Sequence, residues 1–145
     1  MAYDLATAIV AELNASAVGV RLKQEVSYYD IGTATATNPT TVTGAATISK
    51  PAGIVTTNVD VNSAAAGTYT LTLTNTLIAA DSLVQVTVGY GTATTGYPVV
   101  QKVTPGSGTC TIVIGNAAPV NAFNGSLIIN FHAMIPLALF AYGSL

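Results

Sequence analysis

The side chains able to do chemistry in this 145-residue chain are few and far apart. His132 is the single histidine and Cys110 the single cysteine. A hydrolytic triad needs a histidine beside a nucleophile and a carboxylate, and a histidine metal site needs several ligands that one chain position cannot supply. His132 lies between Phe131 and Ala133 in an alternating apolar run, which reads as a structural or interface histidine. Asp30, Asp60 and Asp81 are widely separated and each adjoins turn residues, so they read as turn caps and not as a calcium site or an acid–base pair. Cys110 alternates with Thr109 and Thr111 inside an apolar stretch and reads as a small buried hydrophobe. With no second cysteine an internal disulfide is excluded. The glycines of Gly89-Tyr90-Gly91 and Gly106-Ser107-Gly108 precede no helix that would aim N–H groups at a phosphate, and they read as turns. The expectation is a protein that is not an enzyme and takes no cofactor or metal.

One pair of aromatics stands apart. Tyr90 and Tyr97 bracket a Gly-Thr-Ala-Thr-Thr-Gly segment that reads as a flexible loop. Their rings would either stack on a sugar or receptor surface, or anchor the loop and pack at an interface.

Composition sharpens the picture. Half the residues are hydrophobic and 7% are charged, where a soluble domain carries about 25% charged residues. A surface built from Thr, Ser, Asn, Ala and Gly, with a net charge of −2, offers little repulsion between copies, so permanent contacts are expected. The four cations are scattered, and Arg21 and Lys23 are offset by Glu25 and Asp30, which excludes nucleic acid as a main partner. The N-terminus lacks a positively charged segment ahead of an apolar run, so the chain is expected to stay where it is made. The longest apolar run, from Ala133 to Tyr142, has about half the roughly 20 residues a membrane span requires, and no membrane insertion is expected.

The elements that must position these residues are mostly strands. Asp4 is suited to cap a short helix to about Asn14, with Leu5, Ile9 and Leu13 on one stripe. Two readings of that helix stay open: a cover for a sheet end, or an arm on a neighbouring chain. Arg21 to Asp30 is strand-like. Gly32 to Ala46 has no burying period and reads as a long loop or extended arm with a short strand near Thr41-Val42-Thr43. Period-two alternation then recurs at Thr57-Val59-Val61, Tyr69-Leu71-Leu73, Val84-Val86-Val88, Tyr97–Val103, Cys110-Ile112-Ile114 and Leu127-Ile129-Phe131. Pro98 belongs at an edge or a strand start. The expected fold is mainly β, an antiparallel β-sandwich or jelly roll with a short N-terminal α-helix and an extended arm. Its parts are residues 1–46 (helix, strand and arm), 47–135 (β-sandwich domain) and 136–145 (apolar tail). The interface is expected at Leu5, Ile9 and Leu13 of the helix and at Pro136, Leu137, Leu139, Phe140 and Tyr142 of the tail.

From Gly44 to Phe131 the text resembles β-rich structural proteins of tailed bacteriophages. There GAATISKPAGIVTTNVDVNSAAAGTYTLTLTN is followed by PVVQKVTPGSGTCTIVIGNAAPVNAFNGSLIINFHAM, a TYTLTLTN-like strand before an xVxPxxGxxxIxIxNxxxxxxxNGxLxIxF block. The resemblance implies a viral structural protein made in a bacterial host cytoplasm and assembled onto the virion. It points to a capsid decoration (cement) protein on the capsid surface, with a homotrimer and the major capsid protein as partners. Two other roles stay open: a head or tail fibre recognising a host surface glycan through Tyr90 and Tyr97, and a coat or tube-forming subunit. The motif carries no catalytic residues; Asn124-Gly125 sets a turn, and Leu127, Ile129 and Phe131 fill a core.

Overall fold

The computed structural model describes residues 31–58 and 65–134. The chain divides after Asp30 into two units, and every described residue belongs to the second. The expected helix, the strand from Arg21 to Asp30 and the apolar tail all lie outside the described residues.

Period-two patterning produces nine strands in the described part: β1 (Ile31–Thr35), β2 (Thr37–Thr40), β3 (Thr43–Thr47), β4 (Ala52–Thr56), β5 (Thr68–Thr74), β6 (Leu83–Tyr90), β7 (Pro98–Gly106), β8 (Thr109–Asn116) and β9 (Leu127–Met134). They form two sheets, one in the order β1-β4-β9-β6 and the other β2-β3-β5-β8-β7. In β5 the threonines 68, 70, 72 and 74 take one face while Tyr69, Leu71 and Leu73 are fully buried on the other. Antiparallel β8 sets Ile114, Ile112 and Cys110 opposite these three. Val55, Val84, Ile129, Phe131 and Ala133 of the other sheet join the same hydrophobic cluster, so the two sheets share one core. Each fully buried Leu or Ile contributes about 1.5–3 kcal/mol relative to exposure.

Two interior strands of the five-stranded sheet, β5 and β8, run out into a buried asparagine on their inward parity, Asn75 after Leu73 and Asn116 after Ile114. Both close an Asx turn, in which the side-chain oxygen accepts from the N–H two residues on: Leu77 to Asn75 Oδ1 and Ala118 to Asn116 Oδ1, each at 3.0 Å. Asn75 Nδ2 donates to the Lys50 carbonyl at 2.8 Å, which ties the connection entering β4 to the end of β5. Because β5 and β8 run antiparallel, the two pins hold opposite ends of the domain.

Several expectations change. The segment read as an extended arm is built into the sheets as β1, β2 and β3, and Ala36 and Ala46 enter the core. Its small residues are what let it do so: an added Cβ at Gly32 would collide with the Ile48 side chain, which is buried in the core. Thr41 and Val42 form the turn between β2 and β3 where a strand was expected. The sheets are mixed and not purely antiparallel, since β1 pairs parallel with β4 and β3 pairs parallel with β5. A parallel pair needs a long crossover, and each crossover here runs through the opposite sheet. The chain leaves β1, forms the β2–β3 hairpin in the other sheet and returns as β4 beside β1. Of the strand expected at Thr57-Val59-Val61, Thr57 and Asn58 follow β4 outside any strand, and Val59 and Val61 lie outside the described residues. Pro98 opens β7, an edge strand, as its missing N–H requires.

Candidate interaction surface

The candidate chemical groups do not converge. Among the described residues no three His, Cys, Asp or Glu side chains come together in a metal-binding group. His132 faces outward from β9, in a row with Ala52 of β4 and Gln85 of β6. Cys110 is buried in the core, and burial pushes its thiol up from the ordinary value while a backbone hydrogen bond at Thr104 pulls it down. Asp81 is exposed in the turn before β6; Asp30 and Asp60 lie outside the described residues. The interface candidates Leu5, Ile9, Leu13, Pro136, Leu137, Leu139, Phe140 and Tyr142 lie outside them as well.

The loop between Tyr90 and Tyr97, read as flexible, is pinned throughout its length. The Tyr90 hydroxyl donates to the Gly96 carbonyl at 2.6 Å. Thr92 N–H donates to Ser126 Oγ at 2.9 Å, and Ser126 N–H donates to Thr92 Oγ1 at 3.0 Å, a reciprocal pair. Asn124 Oδ1 accepts from the N–H groups of Thr94 and Thr95 at 2.7 and 3.1 Å. Asn116 Oδ1 accepts from the Tyr97 N–H at 3.0 Å, and Asn116 Nδ2 donates to the Asn121 carbonyl at 2.7 Å. Gly96, at φ +84°, approaches Phe123 so closely that a Cβ would sit 2.5 Å from its ring. Tyr90 therefore spends its hydroxyl on loop closure, and Tyr97 is the more exposed ring, 62% against 44%.

The broad surfaces are the outer faces of the two sheets, and they differ. On the five-stranded sheet the register sets threonines in rows, Thr72 beside Thr111 and Thr104, and Thr47 beside Thr74 and Thr109, with Lys102 nearby. That face is a hydroxyl carpet. On the four-stranded sheet the rows are Ile31-Ala52-His132-Gln85, Thr33-Ile54-Asn130-Thr87 and Thr35-Thr56-Ile128-Gly89, closed by Met134 beside Leu83. No Asp, Glu, Lys or Arg stands in any of these rows, and Ile31, Ile54, Leu83 and Met134 are large apolar side chains in the exposed class. Isolated exposed apolar residues are ordinary, but several on one uncharged sheet face make it a candidate contact surface. Sequence reading placed contacts in the termini and passed over this face, because which residues share it depends on the pairing of β1, β4, β6 and β9. Comparison with family models, with curated proteins and with solved structures returned no match.

Proposed function

We propose that this chain is a non-enzymatic structural protein of a tailed-phage virion, a β-sandwich that decorates the capsid and strengthens it through contacts with the major capsid protein and with its own copies. The observation that carries the reading is the uncharged outer face of the four-stranded sheet. Such a face is weakly hydrated and lacks the charges that keep copies apart, and burying it in an assembly removes the exposed Ile31, Ile54, Leu83 and Met134 from water. The phage-like strand block from Gly44 to Phe131 supplies the setting, and with it the expectation of a homotrimer on the capsid surface. Among the described residues only Lys50, Asp81 and Lys102 carry full charges, too few and too scattered to converge on a substrate.

The exposed Tyr97 ring beside a pinned loop favours a second reading, a fibre or receptor-binding module for a host glycan, because a rigid aromatic platform loses little entropy on stacking. One experiment separates the two. The full chain is added to phage heads assembled without it, and to an array of bacterial surface glycans. Saturable binding to heads with protection against heat or low salt supports decoration. Glycan binding that is lost in Tyr97→Ala, with no affinity for heads, replaces decoration by the receptor reading.

A further inference from the structure

Four strands lie at sheet edges among the described residues, and three carry features that discourage pairing with another chain. β1 is short, with five residues. β2 has four, contains Pro39 and has a register irregularity between Thr37 and Thr40. β7 contains Pro98, Pro105 and Lys102, and its register shifts between Val100 and Lys102. Short length, proline, lysine and bulges are the usual protections of an edge. β6 has none of them. Its sequence Leu-Val-Gln-Val-Thr-Val-Gly-Tyr runs for eight residues in unbroken register with β9 and contains no proline and no charge. Its inward valines, Val86 and Val88, pack against the core yet remain half-buried, as do Val100 and Val103 of β7.

We propose that β6 is a docking edge for the β6 of a second copy, the two strands running antiparallel about a two-fold axis at Val86. The inference rests on the reading of the chain as a self-associating structural protein and assigns that contact a place. Apolar sides must meet apolar sides, so the axis has to pass through a residue and not between two. With the axis at Val86, Leu83 stands opposite Gly89 of the other copy, Val84 opposite Val88, and Gln85 opposite Thr87. This register matches a protrusion to a gap. Leu83 is 59% exposed on the outer face, and Gly89, on the same face, has open space where a Cβ would be. Moving the axis to Thr87 leaves Leu83 beyond the end of the pairing, and moving it to Gln85 sets Gly89 opposite Asp81. The charges also fit a two-fold arrangement: Asp81, the one charged residue from Leu77 to Thr95, lies just outside the paired segment, so the two copies of it fall at opposite ends, about 34 Å apart at 3.4 Å per residue. Pairing would extend the four-stranded sheet into a continuous eight-stranded one and cover Val86 and Val88 with the valines of the other copy. A two-fold contact joins one copy to one other and leaves room for a three-fold contact elsewhere.

Gly89→Val and a cysteine pair test this on the full chain. A valine at 89 enters open space in the folded chain but occupies the slot that Leu83 of the other copy needs. The expected result is an assembled mass halved relative to the parent chain by light scattering, with unchanged thermal unfolding of the separated chain. In the Leu83→Cys, Gly89→Cys double variant, opposed residues lie about 4.5–5.5 Å apart between Cα atoms, within disulfide reach, and mild oxidation yields a covalent dimer. Either single variant places its cysteines about 20 Å apart across the axis and yields none. Unchanged mass in Gly89→Val, no cross-link in the double variant, or equal cross-linking in the singles overturns the edge contact. Head binding that persists in those cases leaves the structural reading standing. A parent chain that neither pairs nor binds heads overturns both.

Discussion

Replacing Asn116 by alanine removes the side chain that ties the end of β8 to the two loops beside it. Its amide accepts from the N–H groups of Tyr97 and Ala118 and donates to the Asn121 carbonyl, at 3.0, 3.0 and 2.7 Å. Ala118 is 1% exposed, so its N–H is left without water as well as without its partner, a loss of about 1–3 kcal/mol. Tyr97 and Asn121 belong to exposed residues whose backbone groups can rehydrate, so those two bonds are worth about 0.5–1.5 kcal/mol each. The sum is about 4 kcal/mol. For a domain of this size that corresponds to a fall of about 10–15 °C in Tm. Equilibrium urea unfolding is the assay, with the midpoint expected to drop at an unchanged m-value, because the folded surface stays the same. A loss below about 1 kcal/mol would refute the view that the buried amide, and not the strands alone, holds the Tyr90–Tyr97 loop in place.

Other outcomes follow from the same geometry. Gly96→Ala forces an L side chain to φ +84° and into the Phe123 ring, and should cost about 2–4 kcal/mol, whereas Gly108→Ala at φ +73° in open space should cost about 1 kcal/mol. Thr57→Val leaves the buried Leu127 N–H, now 2.8 Å from Thr57 Oγ1, without its acceptor and should cost about 1–3 kcal/mol in the same urea assay. Burial pushes the Tyr69 phenol up to about 12 from an ordinary value near 10, so the neutral form is favoured in the folded chain. The resulting stability is fully present below the ordinary tyrosine range and is lost as pH rises through about 12. Urea midpoints measured from pH 9 upward should fall over that window, and Tyr69→Phe should flatten the fall.

How far the fold is legible depends on how each segment buries its side chains. β5, β6, β8 and β9 follow from alternation, because each has one face in the core and one outside. β1 to β3 do not, since Gly32, Ala34, Gly44 and Ala46 fill their inward positions and give little hydrophobic contrast to read. The parallel pairings depend on long-range crossovers that leave no local trace. Asn75 and Asn116 carry a readable signal that passed unused: each continues the inward parity of an apolar strand, Tyr69-Leu71-Leu73-Asn75 and Cys110-Ile112-Ile114-Asn116. A polar residue on a core parity must find buried partners, and these two do. The candidate surface was less legible, because the composition indicated a charge-poor exterior but only the register among β1, β4, β9 and β6 collects Ile31, Ile54, Leu83 and Met134 on one face.

The uncharged outer face of the four-stranded sheet is the one proposed to meet the assembly. Its most direct test places one lysine on each outer face, Ile54→Lys on the four-stranded sheet and Thr72→Lys on the threonine carpet, and measures co-sedimentation with undecorated heads. Thr72→Lys should bind like the parent chain, while Ile54→Lys should lose at least tenfold in affinity with its unfolding midpoint unchanged. Binding by Ile54→Lys equal to that of the parent chain, or loss confined to Thr72→Lys, would contradict it.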